Sequence, residues 1–338
     1  MPLMVVQEQK APNSCMSGLS VEKGQEKMLT EWKIKRMMNA AFRPVGNHSA
    51  VKICHYCKES IRGKEGGCYK KTFYGIETDR CLEMSPAITC PKRCKHCWRD
   101  TAIFSAGWIG PIDEPKEIIE GCIKERTLLL NGFKGHEKVS REYFENEVVK
   151  PTHAAISLTG EPCMYPRLPE LVDSFFDDFN FKTVFLVTSG TVPERLLQFK
   201  NHYPTNIYLS TEAHNRELYQ KLCVPVIPDA WEKYNQSMDI MREVLDSKCR
   251  TVLRITCMKG LNMDEPEKFA WIVKKANPQF VECKGYMYVG YSMTRMKREN
   301  MPTMQEVREF AEAIAKETGY TIDNERSDSE VVLLKRKG

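Results

Sequence analysis

Cys90-Pro-Lys-Arg-Cys94-Lys-His-Cys97 places three cysteines within eight residues, spaced C-x3-C-x2-C. It follows directly on a short apolar run, Met84-Ser-Pro-Ala-Ile-Thr89. A strand that ends in so tight a loop can aim three thiolates at one point. Structural zinc is almost always four-coordinate and closed, and wants a fourth Cys or His nearby. His96 is the local alternative, but it lies between two cysteines and points elsewhere if they converge. Three thiolates without a partner at zinc spacing fit a cubane 4Fe–4S cluster with one open iron better than zinc or plain buried thiols. An open iron can bind and reduce a substrate or cofactor.

Working outward from that loop, the chain alternates strand and helix. The expected strands are 84–89, 154–159, 183–188, 206–210, 251–256 and 281–288, whose Val, Ile, Leu, Phe and Tyr runs suit strands buried on both faces. Helical segments lie between them: one opens at Pro115, and others cover 168–179, 193–199, 217–222, 230–245 and 267–275. This alternation predicts an α/β fold with a parallel sheet. A last helix is signed by the capping box Thr303-Met-Gln-Glu306 and ends at Gly319, and a terminal hairpin is expected from 320–323 and 331–334. Residues 1–50 read as an N-terminal extension, mobile to about residue 30 and helical over 28–42. Residues 51–83 are Gly-rich and loop-like, with Cys54, Cys57, Cys68 and Cys81 but little that forms a core. The barrel-like part then spans 84–300 and a C-terminal helix and strand extension 301–338.

With 338 residues and 42% hydrophobic side chains, the chain is long enough for a sizeable core. No apolar run approaches the eighteen or so residues of a membrane span, and the start lacks the pattern of a secretory signal. A cytoplasmic protein is expected, in which fourteen cysteines are reduced thiols and several are metal ligands. The net charge of +5 is compatible with a nucleic-acid partner without indicating one.

The C-x3-C-x2-C spacing resembles that of the radical S-adenosylmethionine (SAM) enzymes, which sharpens the expected fold to their partial (β/α)6 TIM-like barrel. The second strand ends in Gly160-Glu161-Pro162, in register after the cysteine loop. In that superfamily a Gly-Glu-Pro here binds the amino group of SAM's methionine part. Ser189, Ser210 and Arg254, at further strand ends with Glu212 and Thr256, are candidates for the SAM ribose and carboxylate.

Four longer motifs narrow the resemblance: Cys68-Tyr-Lys70-Lys-Thr-Phe-Tyr-Gly75, Arg80-Cys81-Leu-Glu-Met, Cys97-Trp98-Arg99 and Lys284-Gly-Tyr-Met-Tyr-Val-Gly-Tyr-Ser292. Over residues 50–335 the chain resembles the radical SAM wybutosine-biosynthesis enzymes, the 4-demethylwyosine synthases, in a shorter archaeal-type form without a flavodoxin-like domain. The resemblance implies a second 4Fe–4S cluster on Cys54, Cys68 and Cys81, with Cys57 as the competing ligand. It implies a Schiff base between Lys70 and pyruvate. It also implies an external one-electron donor such as ferredoxin or flavodoxin, and a monomer without membrane contact. The implied reaction converts N1-methylguanosine 3′ of the anticodon of tRNA(Phe) to 4-demethylwyosine: a 5′-deoxyadenosyl radical from SAM takes a hydrogen from the methyl group, and the carbon radical attacks pyruvate. Lys92, Arg93, Lys95, Arg99, Lys284, Arg295, Lys297 and Arg298 are candidates to guide the tRNA backbone, and Tyr286, Tyr288 and Tyr291 to stack on a base. The competing readings are a radical SAM enzyme with a peptide or metabolite substrate, and a non-catalytic metal-cluster protein that binds RNA.

Overall fold

Period-two alternation decides which side of each strand meets which layer. A computed structural model describes residues 27–64 and 67–337 of the chain. Six parallel strands form its centre: β3 (Cys81–Ser85), β4 (His153–Ile156), β5 (Thr183–Thr188), β6 (Asn206–Thr211), β7 (Arg250–Cys257) and β8 (Phe280–Gly285). An antiparallel hairpin, β1 (Arg43–Val45) and β2 (Ser49–Lys52), extends one edge, and β9 (Thr321–Arg326) with β10 (Val331–Lys335) extends the other. The order is β1-β2-β3-β4-β5-β6-β7-β8-β10-β9, so the sheet stays open at β1 and β9. An open, curved α/β sheet of this kind is the partial barrel the sequence predicts.

Leu82, Met84, Ala154, Ile156, Val184 and Leu186 turn outward and pack on Ile118, Ile119 and Phe175 of helices Pro115–Leu130 and Leu168–Asp177. Farther along the sheet, Leu253, Ile255, Val281 and Cys283 pack on Phe269, Val273, Phe310 and Ile314 of helices Pro266–Ala276 and Met304–Thr318. The capping box at Thr303 and Glu306 and the left-handed Gly319 are formed as their residues require. The intervening strand residues, among them Glu83, Ala155, Val187, Ser210, Arg254 and Lys284, face the concave side instead.

Three features differ from the sequence reading. The first parallel strand runs over 81–85, not 84–89, because Pro86 lacks the N–H a ladder needs. Residues 51–83 are not core-poor: they contain β2 and two short helices, α2 (His55–Ile61) and α3 (Tyr69–Tyr74). Ile53, Cys57 and Ile61 pack with Leu130, Phe144 and Val148, while Tyr74 and Ile76 pack with Phe185, Tyr208 and Val252 on the concave face. The expected N-terminal helix is shorter, α1 (Glu31–Asn39), and its approach is fixed: Met28 and Leu29 are buried with Phe104 and Leu158. The expected mobile extension otherwise lies outside the described residues up to residue 26. No helix among the described residues is long and apolar enough to cross a membrane.

Candidate active site

The concave face of the sheet encloses a cavity of about 800 Å³. Cys54, Cys68 and Cys81 line it together with Cys90, Cys94 and Cys97, and so do Lys70, Gly160, Glu161, Ser189, Ser210 and Arg254. Of the expected site residues only Pro162 is absent from the wall; it is buried at the start of the turn Pro162–Met164 and shapes the backbone there.

The Cys90–Cys97 loop is held by its own main chain. Cys90 N donates to Ser105 O at 3.0 Å, Arg93 N to Val224 O at 2.9 Å and Lys95 N to Leu222 O at 2.9 Å. Arg93 donates to the carbonyls of Cys90 (2.6 Å), Lys92 (2.9 Å) and Phe104 (2.8 Å), and Arg295 donates to those of Lys95 and Cys97. These bonds turn carbonyls away from the loop's concave side and leave the thiols to face the cavity. Beneath the loop Lys92 is buried against Glu212 at 3.4 Å, and Cys223 Sγ donates to the same carboxylate at 3.3 Å. His96 approaches Glu212 through Nε2 at 3.5 Å, while its Nδ1 is buried without a protein partner.

The Gly160-Glu161 turn seats against the strand that feeds this loop. Gly160 has φ +71°, and a Cβ there would collide with the Ala87 carbonyl and stand 2.9 Å from that of Thr89. Glu161 N donates to Thr89 O at 2.7 Å. The Glu161 carboxylate accepts from Thr188 Oγ1 at 2.6 Å, Cys163 N at 3.1 Å and Ser189 N at 2.6 Å, which fixes it on the cavity wall with further lone pairs to spare. Arg254 reaches the wall but is committed: it pairs with Glu282 at 3.0 Å, donates to Tyr69 and lies 4.5 Å over the Tyr208 ring. Glu282 also accepts from Tyr74 at 2.9 Å.

The second cysteine set is dispersed. Cys54 and Cys68 precede the first turns of α2 and α3, burial raises both thiols above the ordinary cysteine value, and Cys54 Sγ accepts from Cys57 N at 3.3 Å. Cys81 opens β3. Cys57 points away from the cavity into the apolar cluster of Ile53, Ile61 and Leu130, where burial pushes its thiol up to about 11. Lys70 is buried with its ammonium over the rings of Phe185 (4.9 Å) and Tyr208 (5.5 Å).

Several basic residues expected to guide RNA are structural. Besides Arg93, Arg295 and the buried Lys92, Arg99 donates to Ser157 O and Leu158 O at 2.6 Å each, and Lys284 is drawn inside. Lys297 and Arg298 stay exposed. Tyr286 is buried with its hydroxyl 2.8 Å from Ser292 Oγ, and Tyr291 lies under the Arg36 guanidinium at 5.7 Å. The sequence reading missed Glu83, whose carboxyl lines the same cavity and is raised by burial. A lone acid in Cys81-Leu-Glu-Met gives no signal until strand alternation puts it on Cys81's face.

The residues fit the groups this arrangement calls for. Among the described residues no three His, Cys, Asp or Glu side chains gather tightly enough for a single metal ion. The Gly160 turn leaves the Glu161 carboxylate on the same cavity wall as both cysteine sets.

Residues 84–270 match the radical SAM superfamily and residues 275–336 match the wyosine base formation family. The chain is 46% identical over 298 residues to the S-adenosyl-L-methionine-dependent tRNA 4-demethylwyosine synthase of Pyrococcus abyssi, covering 86% of this chain and 85% of that one. The chain belongs to the tRNA 4-demethylwyosine synthase family. It is a radical SAM enzyme of tRNA wyosine biosynthesis, which uses SAM and an iron–sulfur cluster. The rice synthase is 34% identical over 317 residues, 93% of this chain but 47% of that protein. Among solved structures, TYW1 with a lysine-pyruvate adduct bound superposes at TM-score 0.80 with 30% identity, over 91% of this chain and 96% of that one. Archaeal TYW1 superposes at 0.73 with 28% identity over the same shares.

Proposed function

We propose that this chain converts N1-methylguanosine 3′ of the anticodon of tRNA(Phe) to 4-demethylwyosine, with SAM and pyruvate as co-substrates and two 4Fe–4S clusters. One observation carries the reading: six cysteines in two groups of three share a cavity with Lys70 and the Gly160-Glu161 turn. A peptide- or metabolite-specific radical SAM enzyme has no evident use for the second group, and a non-catalytic RNA-binding protein none for the turn.

In this reading Cys90, Cys94 and Cys97 hold the first cluster and leave one iron open. Gly160 and Glu161 receive the methionine amino group of SAM, with Ser189 and Ser210 toward its ribose and carboxylate. When bound, SAM and its cluster supply the hydrogen-abstracting radical chemistry of the superfamily. Cys54, Cys68 and Cys81 hold the second cluster, and Cys57 stays in its apolar packing. The amine of Lys70 adds to the keto carbon of pyruvate, and loss of water gives an imine. The target base leaves the anticodon stack to enter the cavity. The mouth loop 286–294, with exposed Met287, Val289 and Met293, and the nearby Lys297 and Arg298 receive the RNA. The remaining parts of the reading are an external electron donor such as ferredoxin or flavodoxin, a monomeric state and a cytoplasmic location.

Anaerobic reconstitution tests this. The expected result is about eight irons per chain, dithionite-dependent 5′-deoxyadenosine formation, and a tRNA product whose mass requires carbon from labelled pyruvate. About four irons, or a product without pyruvate carbon, overturns the proposal.

A further inference from the structure

The cavity is crowded with cations, and most are spoken for. Lys92 pairs with Glu212, Arg254 with Glu282, and Arg99 with two carbonyls. Lys284 is different. It projects from β8 onto the cavity wall, donates only to the Ser329 carbonyl at 2.6 Å, and lies 5.2 Å over the Tyr69 ring. Among the described residues no carboxylate stands within ion-pair distance of it: Glu282 serves Arg254, Tyr69 and Tyr74, and Glu330 lies farther off. Lys284 and Lys70 line the same cavity as Cys68.

We propose that Lys284 is the cation that holds the carboxylate of the α-keto acid, while Lys70 takes its carbonyl carbon. The inference rests on the pyruvate reading above and extends it to a residue with no assigned role. Its logic is a division of labour. An α-keto acid carries its carboxylate directly beside the carbon that an amine attacks, so it calls for two neighbouring nitrogens with opposite needs. One must shed its proton to act as a nucleophile; the other must keep its proton to pair with the carboxylate. A half-buried ammonium on the cavity wall whose hydrogen-bond partner among the described residues is a carbonyl is costly unless a counter-anion arrives.

The test uses the reconstituted holoenzyme with pyruvate as the probe. Calorimetry gives its affinity, and borohydride reduction with peptide mapping locates any imine. Lys284→Gln should raise the half-saturating pyruvate concentration by about tenfold or more, with the trapped carbon still on Lys70, and Lys284→Arg should recover most of the affinity. Iron content and thermal unfolding close to the parent's show that the variants fold. Unchanged affinity in Lys284→Gln overturns the proposal and leaves the pyruvate reading standing; it would mean that the ammonium serves only to balance cluster charge, visible as a shifted cluster potential. An adduct mapped to Lys284 also overturns it. No pyruvate binding by the parent enzyme removes the pyruvate reading, and this inference with it.

Discussion

The two cysteine sets on one cavity wall are built in opposite ways. Cys90, Cys94 and Cys97 sit on a single loop whose main chain is bonded to residues 105 and 222–226 and whose carbonyls are capped by Arg93 and Arg295. Their relative placement is held by ordinary hydrogen bonds, each worth about 1 kcal/mol net. Cys54, Cys68 and Cys81 come from two short helices and the start of a strand. Nothing local fixes their mutual distance. What ties that region down is borrowed from elsewhere: Tyr56 donates to Asp328 O at 3.3 Å, Ser329 Oγ donates to Tyr56 at 3.1 Å, and Arg326 donates to Thr72 Oγ1 at 2.8 Å. The difference teaches that one half of the site is preformed by its loop, and the other is assembled from distant parts of the chain.

The largest effects should come from breaking each set in turn. Cys90→Ala should lower product formation by at least about a thousandfold and abolish 5′-deoxyadenosine formation, with about four irons lost. Cys54→Ala should lose the same iron and the same product, yet retain reductive SAM cleavage. If both variants lose SAM cleavage equally, the two halves are not separable. Gly160→Ala comes next. A left-handed φ of +71° and a collision with the Ala87 carbonyl leave the methyl no room, so the turn must move; a loss of about 3 kcal/mol or more in unfolding free energy is expected. SAM affinity should fall with it, whereas iron at the second set should survive if the folded fraction is isolated. Full SAM affinity in a stable Gly160→Ala protein would show that the turn does not shape the pocket.

The same contrast explains what the sequence could reveal. The first set was legible because its spacing alone forces three sulfurs together, and β5 was placed to the residue because nothing but a buried strand explains Thr183–Thr188. The second set was legible only through longer motifs, since thirteen and twelve intervening residues impose no geometry. The Gly-rich look of 51–83 hid α2 and α3, whose stability comes from tertiary packing of Ile53, Ile61, Tyr74 and Ile76 rather than from propensity. Arg93, Arg295 and Lys92 looked like RNA contacts because charge is visible in a sequence and a carbonyl or carboxylate partner far along the chain is not.

A smaller effect separates Cys57 from Cys54. Cys57 is fully enclosed by Ile53, Ile61, Leu130 and Phe144, and its thiol makes a long contact of 3.8 Å to Asp79 O beside the Arg126 guanidinium. Replacing it by alanine removes one buried atom and leaves a small void, so Cys57→Ala should keep its iron and lose about 1–2 kcal/mol of stability. Iron loss in Cys57→Ala with retention in Cys54→Ala would exchange their roles.

The smallest effect concerns the hairpin that precedes both regions. His48, between β1 and β2, is buried as a neutral ring: Nδ1 donates to Pro86 O at 2.6 Å and Nε2 accepts from Asp113 N at 2.9 Å. The tautomer follows, because Nε2 can accept an amide proton only if it carries none. Pro86 leads from β3 toward the cysteine loop, and Lys52 of β2 leads into Cys54, so this ring ties together the approaches to both sets. Burial lowers its pKa below the ordinary histidine value, despite opposing contributions from Asp113 and Pro86. In the unfolded chain the ring takes up a proton near pH 6.5; in the fold it does so only at lower pH. Stability from this group is therefore complete above about pH 6.5 and is lost as pH falls from there toward the folded value. His96, His153 and His214 are lowered in the same direction and add to the slope. His48→Gln should cost about 1–2 kcal/mol at pH 7.5 but show a shallower decline of the urea midpoint between pH 7.5 and 5.5. An unchanged slope would mean that the ring titrates alike in the folded and unfolded chain, and a steeper one that the hairpin is held by a protonated ring.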